Sequence, residues 1–421
     1  MTTAGLTDAG IVRLVIQEYD GEGRDTFLNR HRFERANQYY LQVDGRLYDA
    51  KAIVNVAYRY EHQAPDARVI SGGRDHSNRM LERLGFTVID ARPTTVEGER
   101  AWRLAIWSHL QSAEDLSQVS PGILRGFGVY GGGQGIWMDK VRTETVHEGG
   151  ITVGVLHTGA HYPDEISDND VIYHYPTTGR GPGRDDSEVA ATKAAAALKL
   201  PIFVIAKPTP RSSVRIVRLA WVEGWEERSR IFLISFGDSR PEHLLTEDHS
   251  DDQPFSLTGN RSRSSRRTVR ERPGQRRFKL RVFHRYGPRC PLSGTAVPEM
   301  IEAAHLRPDA EDGTDDPRNG LPLNAALHRA YDAHLFAIEP ETLNVVTRPQ
   351  DPLSRSSGSS RRTFVSCLGA HTPRHSHGAI ENGSCVLVAR DDLARLARRI
   401  PAPTGSTPDP TRRLPGKATS P

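Results

Sequence analysis

Three short segments of this 421-residue chain hold residue types, in an order, that suit hydrolysis of a phosphodiester. They are Glu302-Ala-Ala-His305, Asn319-Gly320 and His328-Arg-Ala-Tyr-Asp332. The reaction needs a base to activate water and a cation to hold the scissile phosphate and the leaving oxygen. His305 suits the first task, because an imidazole ordinarily titrates near neutrality. His328 and Asp332 suit the second, because residues i and i+4 share a helix face and can chelate one divalent ion. Asn319 would fix the loop between them. The expected catalytic set is therefore His305, Asn319 and His328, with His328 and Asp332 as metal ligands. Mg²⁺ is the ion expected, and imidazole ligation also suits Mn²⁺, Co²⁺ or Ni²⁺.

These residues need a hairpin and a helix to carry them. Leu323, Leu327 and Tyr331 recur at helical spacing, with Asn324 placed as N-cap. Leu335-Phe-Ala-Ile338 and Val345-Val346 read as short apolar segments around the site. Gly274-Gln275, Phe278, Tyr286-Gly287, Cys290 and Ser293-Gly294 precede them. Taken together, roughly from Arg272 to Arg348, the set resembles an HNH endonuclease domain. The resemblance implies a ββα-metal fold in which a hairpin carries the base, a loop the Asn and a helix the metal ligands. Two departures stand out. Many HNH nucleases have a ligand side chain just before the base, where this chain has Ala304. The paired CxxC zinc knuckles frequent in the family are missing. The ion would then take His328, Asp332, water and phosphate, with Asn319 a further candidate.

Length predicts two or three domains. A hydrophobic content of 37% supports modest cores and leaves room for disordered segments. The net charge is only +4, yet the basic residues are clustered. Arg261, Arg263, Arg266, Arg267 and Arg270 open a run that continues to Arg281. Such a run attracts a polyanion through counterion release, and Arg266 and Arg267 are candidate contacts to a DNA backbone. The same run can serve as a solvated linker. The three cysteines, Cys290, Cys367 and Cys385, have no CxxC spacing, which argues against a disulfide framework and a structural zinc. No basic-then-apolar leader opens the chain, and no apolar run approaches the roughly 20 residues that span a bilayer. A reducing cytoplasm is the expected compartment, with no membrane partner.

Ahead of the nuclease-like segment, two further units are expected. Ile11 to Glu18 reads as an amphipathic helix, and Asp44-Gly45 as a turn between Tyr39-Tyr40-Leu41 and Leu47-Tyr48. Lys51 to Tyr60 reads as a helix and Phe86 to Ile89 as a strand. The run Asp44 to Val54, with Ser71-Gly-Gly73 and Leu84-Gly-Phe86, resembles a head domain found at the start of some modification-dependent restriction nucleases. After a helical connector, Gly-rich and β-branched residues predict a mainly β unit. Its strands lie near 153–156, 171–175, 202–205, 214–222 and 231–236, with an Ala-rich helix from Ser187 to Leu198. Gly128 to Ile136 is glycine-rich but lacks the Lys-Ser/Thr of a phosphate-binding loop.

Gly159-Ala-His-Tyr162-Pro-Asp164-Glu165, Tyr173-His-Tyr175-Pro and Gly183-Arg184-Asp185 resemble the SRA (YDG) domain. The resemblance implies a cytosine bearing a 5-methyl or 5-hydroxymethyl group, flipped out of the duplex. Tyr162 and Tyr175 would stack on it, with Tyr173 nearby, and Asp164 or Glu165 would accept from its exocyclic amine. Arg184 would clamp a phosphate or pair with Asp185. Alternating tyrosines are also common as core rings of strands.

The expected architecture is α+β and multidomain: a small α+β head at 1–92, a helical connector at 93–119, a barrel-like SRA-type β unit at 120–240, a basic linker at 241–271, a ββα-metal HNH unit at 272–350 and a low-complexity, largely disordered tail at 351–421. The expected function is a metal-dependent endonuclease that recognises modified cytosine in double-stranded DNA and cuts nearby. One HNH site cuts one strand, so a double-strand break implies a homodimer or two sequential nicks. Two alternatives stay open. One is a non-catalytic reader of modified DNA, for which Ala304 speaks. The other is an HNH nuclease directed at another mark, such as phosphorothioate.

Overall fold

The computed structural model of the chain describes residues 5–65, 67, 70–158, 165–178, 183–240, 245, 254–258, 274–338 and 344–347. They fall into two units, within Met1–Glu247 and Asp248–Pro421. Helix α1 (Ala9–Glu22) starts at Asp8, whose carboxylate accepts from the Gly10 amide, and it buries Val12, Val15, Ile16 and Tyr19. Helix α2 (Arg24–His31) follows. Strands β1 (Tyr39–Val43) and β2 (Arg46–Asp49) form an antiparallel hairpin. Its turn places Asp44 and Gly45 at φ 48° and 81°, the left-handed pair a two-residue hairpin needs. Helix α3 (Ala50–Glu61) lays Ile53, Val56 and Ala57 into the same core. After α4 (Arg79–Arg83), strand β3 (Thr87–Asp90) pairs with the other side of β1.

Helix α5 (Val96–Ala113) is more than a spacer. Its Trp102, Ile106 and Leu110 share one buried cluster with Tyr40 and Leu47 of the first sheet and with Phe203, Ile205 and Leu219 of the second. Arg103 on the same helix is fully buried. It pairs with Glu99 at 2.7 Å and donates to the carbonyls of Thr152 at 2.8 Å and Pro201 at 2.7 Å. Burial alone would raise the Glu99 carboxyl, but the Arg103 and Arg142 guanidiniums outweigh it and hold it below the ordinary range.

The next elements are α6 (Pro121–Gly126), β4 (Ile136–Trp137), α7 (Lys140–Thr143), β5 (Gly154–His157), β6 (Glu165–Ile166), β7 (Asp170–His174), α8 (Arg184–Ala197), β8 (Ile202–Ala206), β9 (Ile216–Glu226) and β10 (Ile231–Phe236). They build a seven-stranded sheet of order β4-β5-β8-β9-β10-β7-β6, in which β5 and β8 run parallel. The barrel-like closure expected from the sequence is not what forms among the described residues. The sheet is open, and its edges are the two-residue strands β4 and β6. Edges that short offer no ladder along which the ends could join. The glycine-rich stretch before β4 serves packing. A Cβ at Gly131 would come within 2.1 Å of the Trp137 ring, and one at Gly154 within 2.4 Å of the Val129 carbonyl.

In the second unit, α9 (Gln275–Tyr286) packs Phe278, Val282 and Phe283 over a hairpin of β11 (Ile301–His305) and β12 (Gly320–Asn324). Helix α10 (Ala325–Asp332) follows directly, then a second hairpin of β13 (Phe336–Ile338) and β14 (Val345–Thr347). Leu323, expected on the helix, lies in β12, because Asn324 caps the helix after it. Arg266 and Arg267 lie outside the described residues, and so does the tail expected to be disordered. No helix among the described residues is long and apolar enough to cross a membrane.

Candidate active site

The β11–β12 hairpin sets His305 opposite Gly320. The glycine is needed there: a Cβ would come 2.3 Å from Val282 Cγ2 and 2.7 Å from Phe278, so a larger residue would push α9 away. The His305 ring lies flat on Phe278, with centroids 3.8 Å apart and planes 5° apart. Its Nε2 is 3.3 Å from Asp315 Oδ1. An ionised carboxylate only accepts, so Nε2 would be the donor, and in the neutral ring that leaves the lone pair on Nδ1.

Asn319 is fully buried. Its Oδ1 accepts from the Arg307 amide at 2.9 Å, and its Nδ2 donates to the carbonyls of Arg307 at 3.1 Å and Thr314 at 2.8 Å. The side chain thus ties together the loop that leaves His305. Asp316 caps the turn into Asn319, accepting from the Arg318 amide at 2.8 Å.

Helix α10 begins at Asn324, whose Oδ1 accepts from the Leu327 amide at 2.8 Å. The Tyr331 hydroxyl donates to the Leu306 carbonyl at 3.2 Å and fastens the helix to the residue after His305. On this helix His328 Nε2 stands 3.5 Å from Asp332 Oδ2. His328 Nδ1 stands 2.7 Å from Glu302 Oε2 on β11. Ala304, the position before the base, is fully buried and cannot supply a ligand.

This donor set fits a divalent ion, which when bound would neutralise charge on the phosphate oxygens. Imidazole nitrogen and carboxylate oxygen suit such an ion, and Glu302 on the far nitrogen would fix the His328 tautomer. Glu302 and Asp332 face opposite ring nitrogens, so the three do not converge. No group of three or more His, Cys, Asp or Glu among the described residues gathers into a metal site. His328 and Asp332 would therefore hold the ion together with water and phosphate.

The first unit contains a cavity of about 670 Å³ beside β7 and α8, lined by Gly135, Tyr173, His174, Thr178, Arg184 and Glu188 among others. The Tyr173 hydroxyl reaches the Leu156 carbonyl at 3.3 Å. Glu188 is 3% exposed, with Arg184 at 3.7 Å on the same helix. Asp185 accepts from the amide and hydroxyl of Thr178, both at 2.8 Å. Tyr175, expected to stack on the base, is not among the residues that line this cavity. It is 3% exposed, tilted against Phe232 at 4.5 Å, with Lys193 and Arg230 each within 5.6 Å of its ring. Tyr162 and Asp164 lie outside the described residues, as does the Glu165 side chain.

Spacing alone did not assign three of the contributors. Glu302 opens the first of the three segments, but nothing in its position along the chain pairs it with His328. Asp315 and Phe278 lie ten and 27 residues from His305, too far for spacing to pair them.

Comparison with known proteins bears on both units. Residues 290–339 match the HNH endonuclease family. The second unit thus contains an HNH endonuclease domain. The chain is thus a DNA endonuclease, and HNH endonucleases depend on a divalent metal. Residues 5–90 match the ScoMcrA-like N-terminal head domain. No curated protein matches the chain. Solved structures similar to it include two restriction endonucleases. The modification-dependent restriction endonuclease TagI is 17% identical over 55% of this chain and 81% of its own, with a TM-score of 0.22. The type IV phosphorothioation-dependent restriction endonuclease ScoMcrA is 15% identical over 77% of this chain and 94% of its own, with a TM-score of 0.20.

Proposed function

We propose that this HNH endonuclease is modification-dependent: the first unit reads a modified cytosine flipped from duplex DNA, and the second hydrolyses a phosphodiester nearby. The observation that carries the cutting half is the pair of carboxylates that fix the two histidines, Asp315 on His305 and Glu302 on His328. In the proposed reaction His305 Nδ1 takes a proton from water as it attacks phosphorus in line. Asn319 holds the loop that carries Asp315, and His328 with Asp332 would position the metal ion.

The reading half is supported by the cavity around Tyr173, which is large enough for one base and combines an aromatic wall with polar groups. Thr158 and Thr178 on its wall directly precede 159–164 and 179–182 in sequence, so Tyr162 and Asp164 follow the wall by four and six residues. Asp164, Glu165 or the buried Glu188 would accept from the exocyclic amine. Arg184 would meet a phosphate. A second reading directs the same nuclease at phosphorothioate DNA, and the ScoMcrA-like head domain favours it.

One digestion separates the readings: matched unmodified, methylated, hydroxymethylated, glucosylated and phosphorothioated duplexes, with and without Mg²⁺. Cutting confined to a cytosine-modified duplex supports the first, and cutting confined to the phosphorothioate duplex the second. Binding to a modified duplex with no metal-dependent cutting of any substrate leaves a non-catalytic reader. One HNH site severs one strand, so the ratio of nicks to double-strand breaks reports whether two copies act together.

A further inference from the structure

The head of the first unit holds a second cavity, about 530 Å³, that the cleavage reaction does not use. It lies between the α2–β1 loop, the start of α3 and the Gly72-Gly73 turn. Its chemistry is that of a site for an anion. Lys51 and Arg32 line it, and neither has an ion-pair partner among the described residues. The other charges there are satisfied or offset. Arg35 pairs with Asp25 at 2.7 Å, and the Asp49 carboxylate is held by Arg24 at 2.7 Å and by the Tyr19 hydroxyl. That leaves Arg32 and Lys51 against Glu34.

Two further features point inward. Helix α3 has twelve residues and no side-chain cap, because Asp49 is turned to Arg24, so its first-turn amides are available to an anion. Asn78 lines the cavity and is only 2% exposed. Its Oδ1 accepts from Ser77 Oγ at 3.3 Å, while its Nδ2 has no acceptor among the described residues. That nitrogen is not among the sealed-off unpaired atoms, so it is free to donate to an oxygen that enters the cavity. The glycine pair serves this arrangement. Gly73 sits at φ 141°, and a Cβ at Gly72 would press on the Lys51 stem at 3.3 Å.

We propose that this cavity grips a backbone phosphate of the DNA, through residues other than those of the base cavity and the HNH site. The ligand class is a phosphoryl oxyanion. Lys51 and Arg32 supply charge, and Asn78 Nδ2 and the α3 amides supply direction. The inference rests on the reading that this chain acts on DNA. It does not depend on which mark is read.

The test is binding of the full chain to an unmodified duplex in EDTA, followed by fluorescence anisotropy across a salt series. Releasing one phosphate lowers the slope of log K against log salt by about 0.9. Lys51→Gln and Arg32→Gln should each flatten the slope by about that amount, and Lys51→Arg should retain it. Asn78→Ala should weaken binding several-fold at an unchanged slope. Wild-type slope and affinity in both Gln variants, with unaltered circular dichroism, would overturn the proposal. Calorimetry with inorganic phosphate and with a mononucleotide distinguishes the source. Saturable, Lys51-dependent binding of either in the micromolar range would make this a free-anion pocket and overturn the strand contact. A wild-type chain that shows the Lys51-dependent slope yet never cuts DNA would remove the nuclease reading and leave this contact standing.

Discussion

His305 Nε2 lies 3.3 Å from Asp315 Oδ1 while the same ring stacks on Phe278 at 3.8 Å. The carboxylate fixes which nitrogen carries the proton, and the phenyl ring fixes the plane. Asp315→Asn removes the first constraint, because an amide can offer either a donor or an acceptor to Nε2. We expect single-turnover cleavage to fall on the order of tenfold or more, with DNA affinity unchanged. Cleavage at the wild-type rate would show that the carboxylate does not orient the base.

His305→Ala should abolish cutting and spare DNA binding. A general base contributes on the order of a hundredfold or more, so rate and affinity should separate clearly in this variant. Retention of more than a few per cent of the wild-type rate at matched Mg²⁺ would remove His305 from the base role.

The metal prediction concerns α10 and β11 together. Asp332→Ala removes an expected ligand. Glu302→Gln removes the carboxylate 2.7 Å from His328 Nδ1. Each should raise the Mg²⁺ or Mn²⁺ needed for half-maximal activity, by about 10- to 100-fold for the orienting Glu302. Direct Mn²⁺ titration by calorimetry checks the same ordering without reference to turnover. Full activity in EDTA would exclude the ligand pair.

His109 gives the first unit an acid sensitivity. Its Nδ1 accepts from the Leu47 amide at 3.0 Å. Burial, then the nearby Arg24 and Arg46, push its pKa from 6.5 down to about 4. As pH falls through that window the unfolded chain takes up the proton and the folded chain does not, so stability falls with it. At 1.36 kcal/mol per pH unit the contribution is bounded at roughly 3 kcal/mol. His109→Gln keeps an acceptor but cannot titrate. Urea unfolding at neutral pH and about pH 4.5 should show a difference roughly 2 kcal/mol smaller in the variant. An equal difference in both proteins would mean that His109 is protonated without cost in the fold.

Arg103→Ala should destabilise the first unit by roughly 3–5 kcal/mol, because it leaves buried carbonyls and Glu99 short of a donor. Denaturant unfolding reads this directly, and a loss below roughly 1 kcal/mol would mean that water or Arg142 replaces it.

Local chemistry was readable from the sequence by itself. The Asp44-Gly45 turn, the Asn324 cap and the i,i+4 pair of His328 and Asp332 all depend on residues close in the chain, where residue type and spacing fix geometry. Tertiary structure decided the rest. Asp315 meets His305 across ten residues and Glu302 meets His328 across 26, and both meetings depend on how β11, its loop and α10 pack. Among the described residues the seven-stranded sheet is open with two-residue strands at its edges, a pairing outcome that alternating apolar residues do not specify. Tyr173 and Tyr175 look alike in sequence. One lines a cavity and the other lies against Phe232, because only the folded sheet determines which ring its neighbours enclose.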